Sequence, residues 1–171
     1  MIGRFLDRPA EQSFYDLFVA LSPKLVAYFR RHGRPLDQAE ELAQDVLLRV
    51  YRQVGTLRDR ALFRPWVYRI ARNAFLESLR VARRDLKLVG LDDAEIGAAC
   101  VSSDSPLLFL EWMKWLSPEE REIMTLRYVD GFECAEIGAA LELPTGTVQW
   151  KIFNAKRKLA PRVAKDARRT P

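Results

Sequence analysis

Residues 132–160 read FECAEIGAALELPTGTVQWKIFNAKRKLA. A short apolar pattern that ends at Leu141 is followed by a turn signal, Glu142-Leu143-Pro144, and by a longer pattern with apolar residues every three or four positions. The members of the longer pattern are Val148, Ile152, Ala155 and Leu159. Two helices joined by such a turn predict a helix-turn-helix, although a plain pair of antiparallel helices has the same spacing.

Charge favours the first of these interpretations. Residues 145–171 carry eight basic groups and one acidic group, whereas residues 108–144 carry three basic and eight acidic groups. Amides pair with adenine in the major groove, and cations neutralise phosphates or reach guanine. A solvated basic face, the plainer alternative, leaves the aromatic residues unexplained. The positions away from the apolar stripe are Gln149, Trp150, Lys151, Phe153, Asn154, Lys156 and Arg157.

The composition of the 171 residues narrows the class of protein. The length suits one medium domain or two small ones, and 49% apolar residues are enough for packed cores. The net charge of +5 favours a polyanionic partner. Cys100 and Cys134 do not form a C-x-x-C pair and neither lies near His32, so we expect no disulfide framework, no metal and no cofactor. Neither a signal peptide nor a membrane span is evident, and we expect a cytoplasmic protein without membrane insertion.

A second basic zone lies in the first half of the chain. Residues 58–84 contain eight Arg and no Lys, with aromatic residues interleaved. Arg and aromatic groups together suit unpaired bases. Trp66 and Phe75 also fit a helical core stripe, whose opposite face carries Arg69 and Arg72. The aromatic residues of this zone are Phe63, Trp66, Tyr68 and Phe75.

Helix-start signals divide the chain into short helices. Ser22-Pro23 predicts the start of a second helix, and Asp37 with Glu40 predicts a capping box for the next. Ser105-Pro106 and Ser117-Pro118-Glu119-Glu120 predict two more starts. No strand pattern is evident, so the prediction is an all-α protein. The helix after Asp37 has a buried stripe of Ala39, Leu42, Ala43, Val46, Leu47 and Val50.

Several motifs resemble the extracytoplasmic-function (ECF) sigma factors of bacterial RNA polymerase, a group of the sigma-70 family. The resemblance implies two small helical domains, a region 2 bundle and a region 4 helix-turn-helix, joined by a flexible linker. The strings that carry it are Asp37–Val46 and Phe63–Asn73 for region 2, and Leu116–Arg121, Leu126–Gly131, Ala135–Gly138 and Pro144–Val148 for region 4.

The resemblance implies a division of labour along the chain. Residues 12–86 would bind core polymerase and the minus-10 element, 87–106 would form an acidic linker, and 107–162 would bind the minus-35 element, followed by a basic tail at 163–171. The implied partners are the β′ clamp helices and the β flap of core polymerase together with promoter DNA. Family members are commonly restrained by an anti-sigma factor, whose existence here the sequence leaves open.

The resemblance also implies three sets of contact residues. Those for the minus-10 element, where a loop receives a flipped base, are Leu57, Arg58, Arg60, Phe63, Arg69, Arg72, Asn73 and Arg80. Those for the minus-35 element are Thr147, Gln149, Trp150, Lys151, Phe153, Asn154, Lys156 and Arg157. Those for core polymerase are Glu40, Glu41, Gln44, Asp45 and Leu48.

Three departures from the family pattern involve four residues. Trp150 and Asn154 replace a small residue and an Arg, so the usual minus-35 sequence does not carry over. Leu57 stands where an aromatic residue is common in the loop that receives the base, which leaves the identity of the flipped base open. Leu116-Ser117-Pro118 replaces the usual Leu-Pro before region 4, a change of little consequence because Ser117 can still cap the helix.

Two other functions remain open at this point. One is a dimeric helix-turn-helix repressor, against which the basic first half argues. The other is a decoy that imitates a sigma factor to titrate an anti-sigma factor, which the departures at Trp150 and Asn154 favour and the retained Arg69 and Arg72 oppose. An enzyme is disfavoured because the sequence has no metal cluster, phosphate loop or nucleophile elbow.

Overall fold

The computed structural model describes the backbone of residues 11–88 and 112–167, and side chains over 14–84 and 112–164. Two compact units divide the chain, at 1–102 and 103–171. Within the described residues every regular element is helical, which confirms the predicted all-α class. The predicted linker and the helix start at Ser105-Pro106 lie mainly or wholly outside the described residues.

Residues 11–88 of the first unit form three long helices: α1 (Glu11–Arg31), α2 (Leu36–Gln53) and α3 (Phe63–Leu88). The segment between α2 and α3 contains two short 3-10 turns, Val54–Thr56 and Arg60–Leu62. Helix α2 packs against both of the others. Its buried side chains are Ala39, Ala43, Val46, Leu47 and Val50, as the periodicity predicts, while Leu42 is half-buried.

The predicted helix start at Ser22-Pro23 is wrong, because α1 runs through Pro23 without a break. A proline inside a helix loses one backbone hydrogen bond and crowds the preceding turn. Here Leu21 and Leu25 are both buried on the same side of α1, at 8% and 0% exposure. We infer that burial of one continuous apolar face outweighs the cost of the proline.

The capping box predicted for α2 is also wrong. The helix begins at Leu36, with Pro35 in the extended conformation at its N-cap and without a side-chain cap. Asp37 therefore lies inside the first turn, where it cannot cap but favours the positive end of the helix dipole. The fixed φ of Pro35 favours a helix that begins two residues earlier than the capping pattern suggested.

The second unit contains α4 (Pro118–Tyr128), α5 (Cys134–Leu141) and α6 (Thr145–Ala167), which pack against one another. The capping box predicted at Ser117 and Glu120 is confirmed. Helices α5 and α6 form the predicted helix-turn-helix, and Glu142 adopts a left-handed conformation at the turn, with φ 59°. The core of the second unit includes Ile123, Leu126, Phe132, Ile137, Val148 and Ala155, each no more than 1% exposed.

Candidate nucleic-acid and protein interfaces

Helix α6 separates an apolar stripe from an exposed polar and aromatic face. Val148, Ile152, Ala155 and Leu159 are buried, which confirms the predicted stripe. The exposed face combines amides, cations and two aromatic rings, the groups expected of a helix that enters the major groove. Of the predicted contacts, Gln149, Trp150, Phe153, Lys156 and Arg157 are exposed, and Thr147, Lys151 and Asn154 are half-buried.

Two ion pairs fasten α6 to the start of α4. The Nζ atom of Lys151 lies 2.6 Å from a carboxylate oxygen of Glu119, and that of Lys158 lies 2.6 Å from Glu120. Lys151 and Lys158 are seven residues apart and therefore share one side of the helix. Lys151, predicted from sequence as a phosphate contact, is thus engaged within the protein, which no sequence pattern indicated.

The Glu120 carboxylate is the centre of this fastening. It is 8% exposed, accepts a hydrogen bond from the backbone N–H of Ser117 at 2.9 Å, and faces Lys158. Burial works to raise the pKa of Glu120, but the hydrogen bonds from Lys158 and Ser117 outweigh it, and the pKa lies below the ordinary value of 4.5. The charged form is therefore the one that the fold stabilises.

Because the pKa of Glu120 is lower in the folded than in the unfolded chain, its contribution to stability exists above the unfolded value and disappears as pH falls through the folded one. We expect Glu120→Gln to lower the melting temperature of the second unit at neutral pH. The difference from wild type should shrink towards zero in acid. Thermal denaturation of both proteins across a pH series measures this; a difference independent of pH would contradict the assignment.

The segment between α2 and α3 presents the residues predicted to receive a flipped base. Leu57 follows the first 3-10 turn in an extended conformation and is half-buried, while Arg58 and Arg60 are exposed. Asp59 caps the second turn by accepting a hydrogen bond from the backbone N–H of Ala61 at 2.9 Å. The segment thus has a defined backbone with arginines on its outside.

Phe63 does not belong to the exposed part of this surface. It is 2% exposed, and its ring centroid lies 6.0 Å from that of Trp66. Its predicted role as a DNA contact is corrected to that of a core residue at the start of α3. Phe63 is the first residue of the helix, where its ring packs inward and anchors the end of the segment.

The other aromatic residues of the Arg-rich zone also turn inward. Trp66 and Tyr68 are 8% and 4% exposed, and the Tyr68 ring packs edge-on against Tyr28 of α1 at 5.5 Å. Phe75 is half-buried, with His32 at 5.0 Å and the Arg34 guanidinium at 5.3 Å. The predicted alternation of arginines and aromatic rings therefore does not form a single stacking surface.

Helix α3 carries the polar residues predicted to face DNA. Asn73 and Arg80 are exposed, and Arg69 and Arg72 are half-buried. The spacing of Arg69, Arg72 and Asn73 places their side chains on neighbouring turns of one side of the helix. This side is opposite the buried residues Val67, Ala71 and Ala74.

Helix α2 exposes the residues predicted to bind core polymerase. Glu40, Glu41, Gln44 and Leu48 are exposed, with Leu48 at 48%. Asp45 is half-buried and forms an ion pair with Arg49 at 2.9 Å. The same Arg49 reaches Glu77 of α3 at 3.0 Å, so one end of this polar face is tied to the neighbouring helix.

An apolar groove of about 570 Å³ in the second unit was not predicted from the sequence. Its walls come from three separate stretches of the chain, so no single hydrophobic pattern reveals it. The sequence signal for the groove was the presence of aromatic residues, Trp112 and Tyr128, beside apolar positions of the helices. Its lining includes Trp112, Met113, Met124, Tyr128, Leu159 and Val163.

The described part of the chain lacks two further features. Residues 11–88 and 112–167 contain no helix that is long and apolar enough to cross a membrane. The same residues contain no cluster of His, Cys, Asp or Glu with the makings of a metal site.

Comparisons with known proteins agree with this architecture. The Sigma-70 region 2 family model matches residues 17–85, and the Sigma-70, region 4 model matches residues 109–159. The RNA polymerase sigma factor CarQ of Myxococcus xanthus is 31% identical over 160 residues, which span 91% of each protein. The chain belongs to the sigma-70 family. It is an RNA polymerase sigma factor of the extracytoplasmic-function type.

Further relatives place the sigma factor within this group. The ECF RNA polymerase sigma-E factor of Escherichia coli K12 is 27% identical over 168 residues, covering 90% of this chain and 88% of the relative. The sigma factor RpoE of Bartonella quintana, solved with the anti-sigma factor NepR, has the same fold. The TM-score between RpoE and this protein is 0.69 at 22% sequence identity, and the match covers 90% of this chain and 98% of the RpoE chain.

CnrH, solved in complex with the cytosolic domain of CnrY, shares the fold as well, with a TM-score of 0.65, 20% identity and 96% coverage of both chains.

As a sigma factor the protein directs core polymerase to specific promoters and aids DNA melting at initiation. The comparisons favour this function over the repressor and the decoy.

Proposed function

We propose that the two units of the sigma factor recognise separate parts of the promoter. Residues 12–86 bind core polymerase and the melted minus-10 element, and residues 107–162 bind the minus-35 element as duplex. Residues 87–106 connect them as an acidic linker, and 163–171 form a basic tail. The observation that carries this proposal is the exposed face of α6, where amides and cations lie opposite a fully buried apolar stripe.

The minus-10 element contacts the segment before α3 and the polar side of that helix. Asn73 lines the site for a flipped base, while the arginines neutralise the phosphates of the strand. Phe63 supports this surface from beneath. The contacting residues are Leu57, Arg58, Arg60, Arg69, Arg72, Asn73 and Arg80.

Core polymerase binds two surfaces of the sigma factor. The polar face of α2 meets the β′ clamp helices, with Leu48 supplying the apolar contact and the acidic residues supplying charge. The groove of the second unit accepts the β flap, because its walls are apolar apart from Lys156 at its edge. The α2 contacts are Glu40, Glu41, Gln44, Asp45 and Leu48.

The minus-35 element lies against α6. Gln149 and Asn154 read bases, and Lys156 and Arg157 contact phosphates. The complete contact set is Thr147, Gln149, Trp150, Lys151, Phe153, Asn154, Lys156 and Arg157.

Substitutions on α6 test this assignment. We expect Asn154→Ala or Gln149→Ala to change the preferred upstream sequence, at a cost of about 1–3 kcal/mol for each lost bidentate contact. Lys156→Ala should weaken binding nearly equally for all sequences and lower the salt dependence by about one counterion. Holoenzyme binding to a panel of promoter variants measures both; an unchanged preference after both amide substitutions would move base recognition to another element.

Three properties follow from the proposed role. The protein acts in the cytoplasm, where RNA polymerase works, and it has no catalytic activity of its own. It uses no cofactor, since every contact proposed above is made by side chains of the chain. An anti-sigma factor is a proposed partner, supported by the similar sigma factor RpoE, which was solved in complex with the anti-sigma factor NepR.

A further inference from the structure

Two large aromatic side chains stand on the DNA-facing side of α6. Trp150 is 63% exposed and Phe153 is 62% exposed. Residues three positions apart on a helix are surface neighbours, so the two rings form one apolar patch. Exposed apolar patches with a polar rim mark interaction sites.

The first turns of α6, which carry both rings, contain a single cation, while Lys156 and Arg157 follow further along the helix. Lys151 is the sole basic residue between Thr145 and Asn154. Its ammonium lies 2.6 Å from Glu119, and its side chain is 21% exposed. Guanine is usually read by Arg or Lys at its O6 and N7 atoms. The N-terminal residues of a recognition helix contact the base edges, and here the one cation among them is held by a carboxylate, so this part of the face is poorly equipped to read guanine.

The remaining groups on this face suit A·T pairs. Apolar side chains contact the methyl group of thymine, and Asn and Gln pair bidentately with adenine. Gln149 is exposed and Asn154 is half-buried, and they flank the aromatic patch on either side along the helix. Two rings that suit thymine methyl groups therefore lie between two amides that suit adenine, over about one and a half turns of α6.

We propose that α6 reads an A·T-rich upstream element. Trp150 and Phe153 contact thymine methyl groups, Gln149 and Asn154 pair with adenine, and Glu119 withholds Lys151 from the DNA. This inference rests on the proposed binding of α6 to the minus-35 element and adds the class of base that it recognises there.

Replacement of thymine by deoxyuridine tests the methyl contacts, because it removes the methyl group and preserves base pairing. The experiment uses holoenzyme assembled with purified core polymerase. Promoter fragments are first selected by the wild-type holoenzyme from random-sequence duplex DNA. Each upstream thymine is then replaced in turn, and the affinity ratio of the thymine to the deoxyuridine duplex is measured.

We expect the ratio to be about fourfold at each contacted thymine, which corresponds to ~0.8 kcal/mol for one buried methyl group. Trp150→Ala and Phe153→Ala should bring the ratio close to one. Lys156→Ala is the matched control on the same helix and should preserve the ratio while weakening all complexes. Both aromatic residues are exposed, so these variants are expected to fold, and helical circular dichroism checks that they do.

Glu119→Gln tests the withholding of Lys151. Releasing this ammonium should raise the affinity for all duplexes and steepen the salt dependence by about one counterion. Glu122→Gln removes the same charge from the same helix and controls for the general electrostatic effect. An unchanged salt dependence in Glu119→Gln, relative to that control, would overturn this part of the inference.

Other outcomes separate the inference from the function on which it rests. Selection of a G·C-rich upstream element would overturn the inference and leave the minus-35 assignment intact. The inference would also be overturned if Trp150→Ala left the thymine-to-deoxyuridine affinity ratio unchanged and instead abolished contact with a protein. The aromatic patch would then be a protein-binding site. Selection of no upstream sequence by a holoenzyme that still initiates would count against the minus-35 assignment itself.

Discussion

Replacing Gly138 with Ala is expected to destabilise the second unit by about 1–3 kcal/mol and to abolish tight binding of the upstream element. A Cβ atom at this position would lie 2.6 Å from the backbone carbonyl oxygen of Leu143. No real Cβ atom tolerates such a distance, so either α5 or the turn that follows it must move.

The turn has little freedom to move. The backbone N–H of Leu143 donates to the carbonyl oxygen of Gly138 at 2.9 Å, and Glu142 is already held in the left-handed conformation. Helix α6 begins directly after this turn, at Thr145. A shift of the turn therefore changes the angle at which α6 is presented to DNA, and the loss of binding should exceed the loss of stability.

Gly146→Ala is the matched control for this substitution. A Cβ atom at Gly146 meets nothing within 4 Å, and alanine is the better helix former by roughly 1 kcal/mol. The melting temperature of the second unit should fall in Gly138→Ala and stay level or rise in Gly146→Ala. Equal melting temperatures in wild type and Gly138→Ala would show that the turn relaxes freely and would contradict the close packing described here.

Asn73→Ala and Arg72→Ala are expected to slow promoter opening tenfold or more while changing the affinity for core polymerase less than about twofold. Flipping a base costs a few kcal/mol of unstacking, and the site that receives it must supply that energy. Removing one hydrogen-bonding or charged contact forfeits about 1.5–3 kcal/mol of it, a factor of about 10 to 150. Asn73 is exposed, so its removal leaves the core of the first unit intact.

Two assays separate these effects. Permanganate reactivity of unpaired thymines reports the extent of opening, and fluorescence titration with labelled sigma factor reports core binding. Glu41→Ala on α2 is the reciprocal control, and we expect it to weaken core binding while leaving opening normal at saturating concentration. A parallel loss of both activities in Asn73→Ala would contradict the separation of the two surfaces.

The helix-turn-helix is the part of the structure that sequence predicts best. Val148 and Ile152 follow the helical period closely, and Ser117 and Glu120 form a capping box that depends only on residues three positions apart. These features are local in the chain. Local patterns translate directly into structure because tertiary packing agrees with them.

The errors arise where tertiary packing overrides a local signal. Pro23 would start a helix in isolation, but α1 continues through it because Leu21 before it and Leu25 after it are both buried on one side of the helix. Phe63 and Tyr68 lie in an Arg-rich stretch that suits nucleic acid, yet both rings are needed by the core. Composition alone does not distinguish the two uses of an aromatic ring.

The pairing of Lys151 with Glu119 joins residues 32 positions apart, too distant in the chain for a local sequence pattern to indicate it. Lys151 was predicted to contact DNA, and its ion pair with Glu119 instead engages it within the protein. The positions of the predicted contact residues on α2, α3 and α6 follow from helical periodicity. Their individual partners on DNA and polymerase remain proposals.

The most direct measurement is transcription in vitro with purified core polymerase, with and without this protein, on genomic fragments carrying the promoters that its overexpression activates. We predict discrete transcripts whose start sites match those mapped in cells and which core polymerase alone does not produce. Weak binding of promoter duplex by the free protein should accompany them. A folded protein that yields no specific transcript with core polymerase, and instead binds a palindromic duplex tightly by itself, would contradict the central claim.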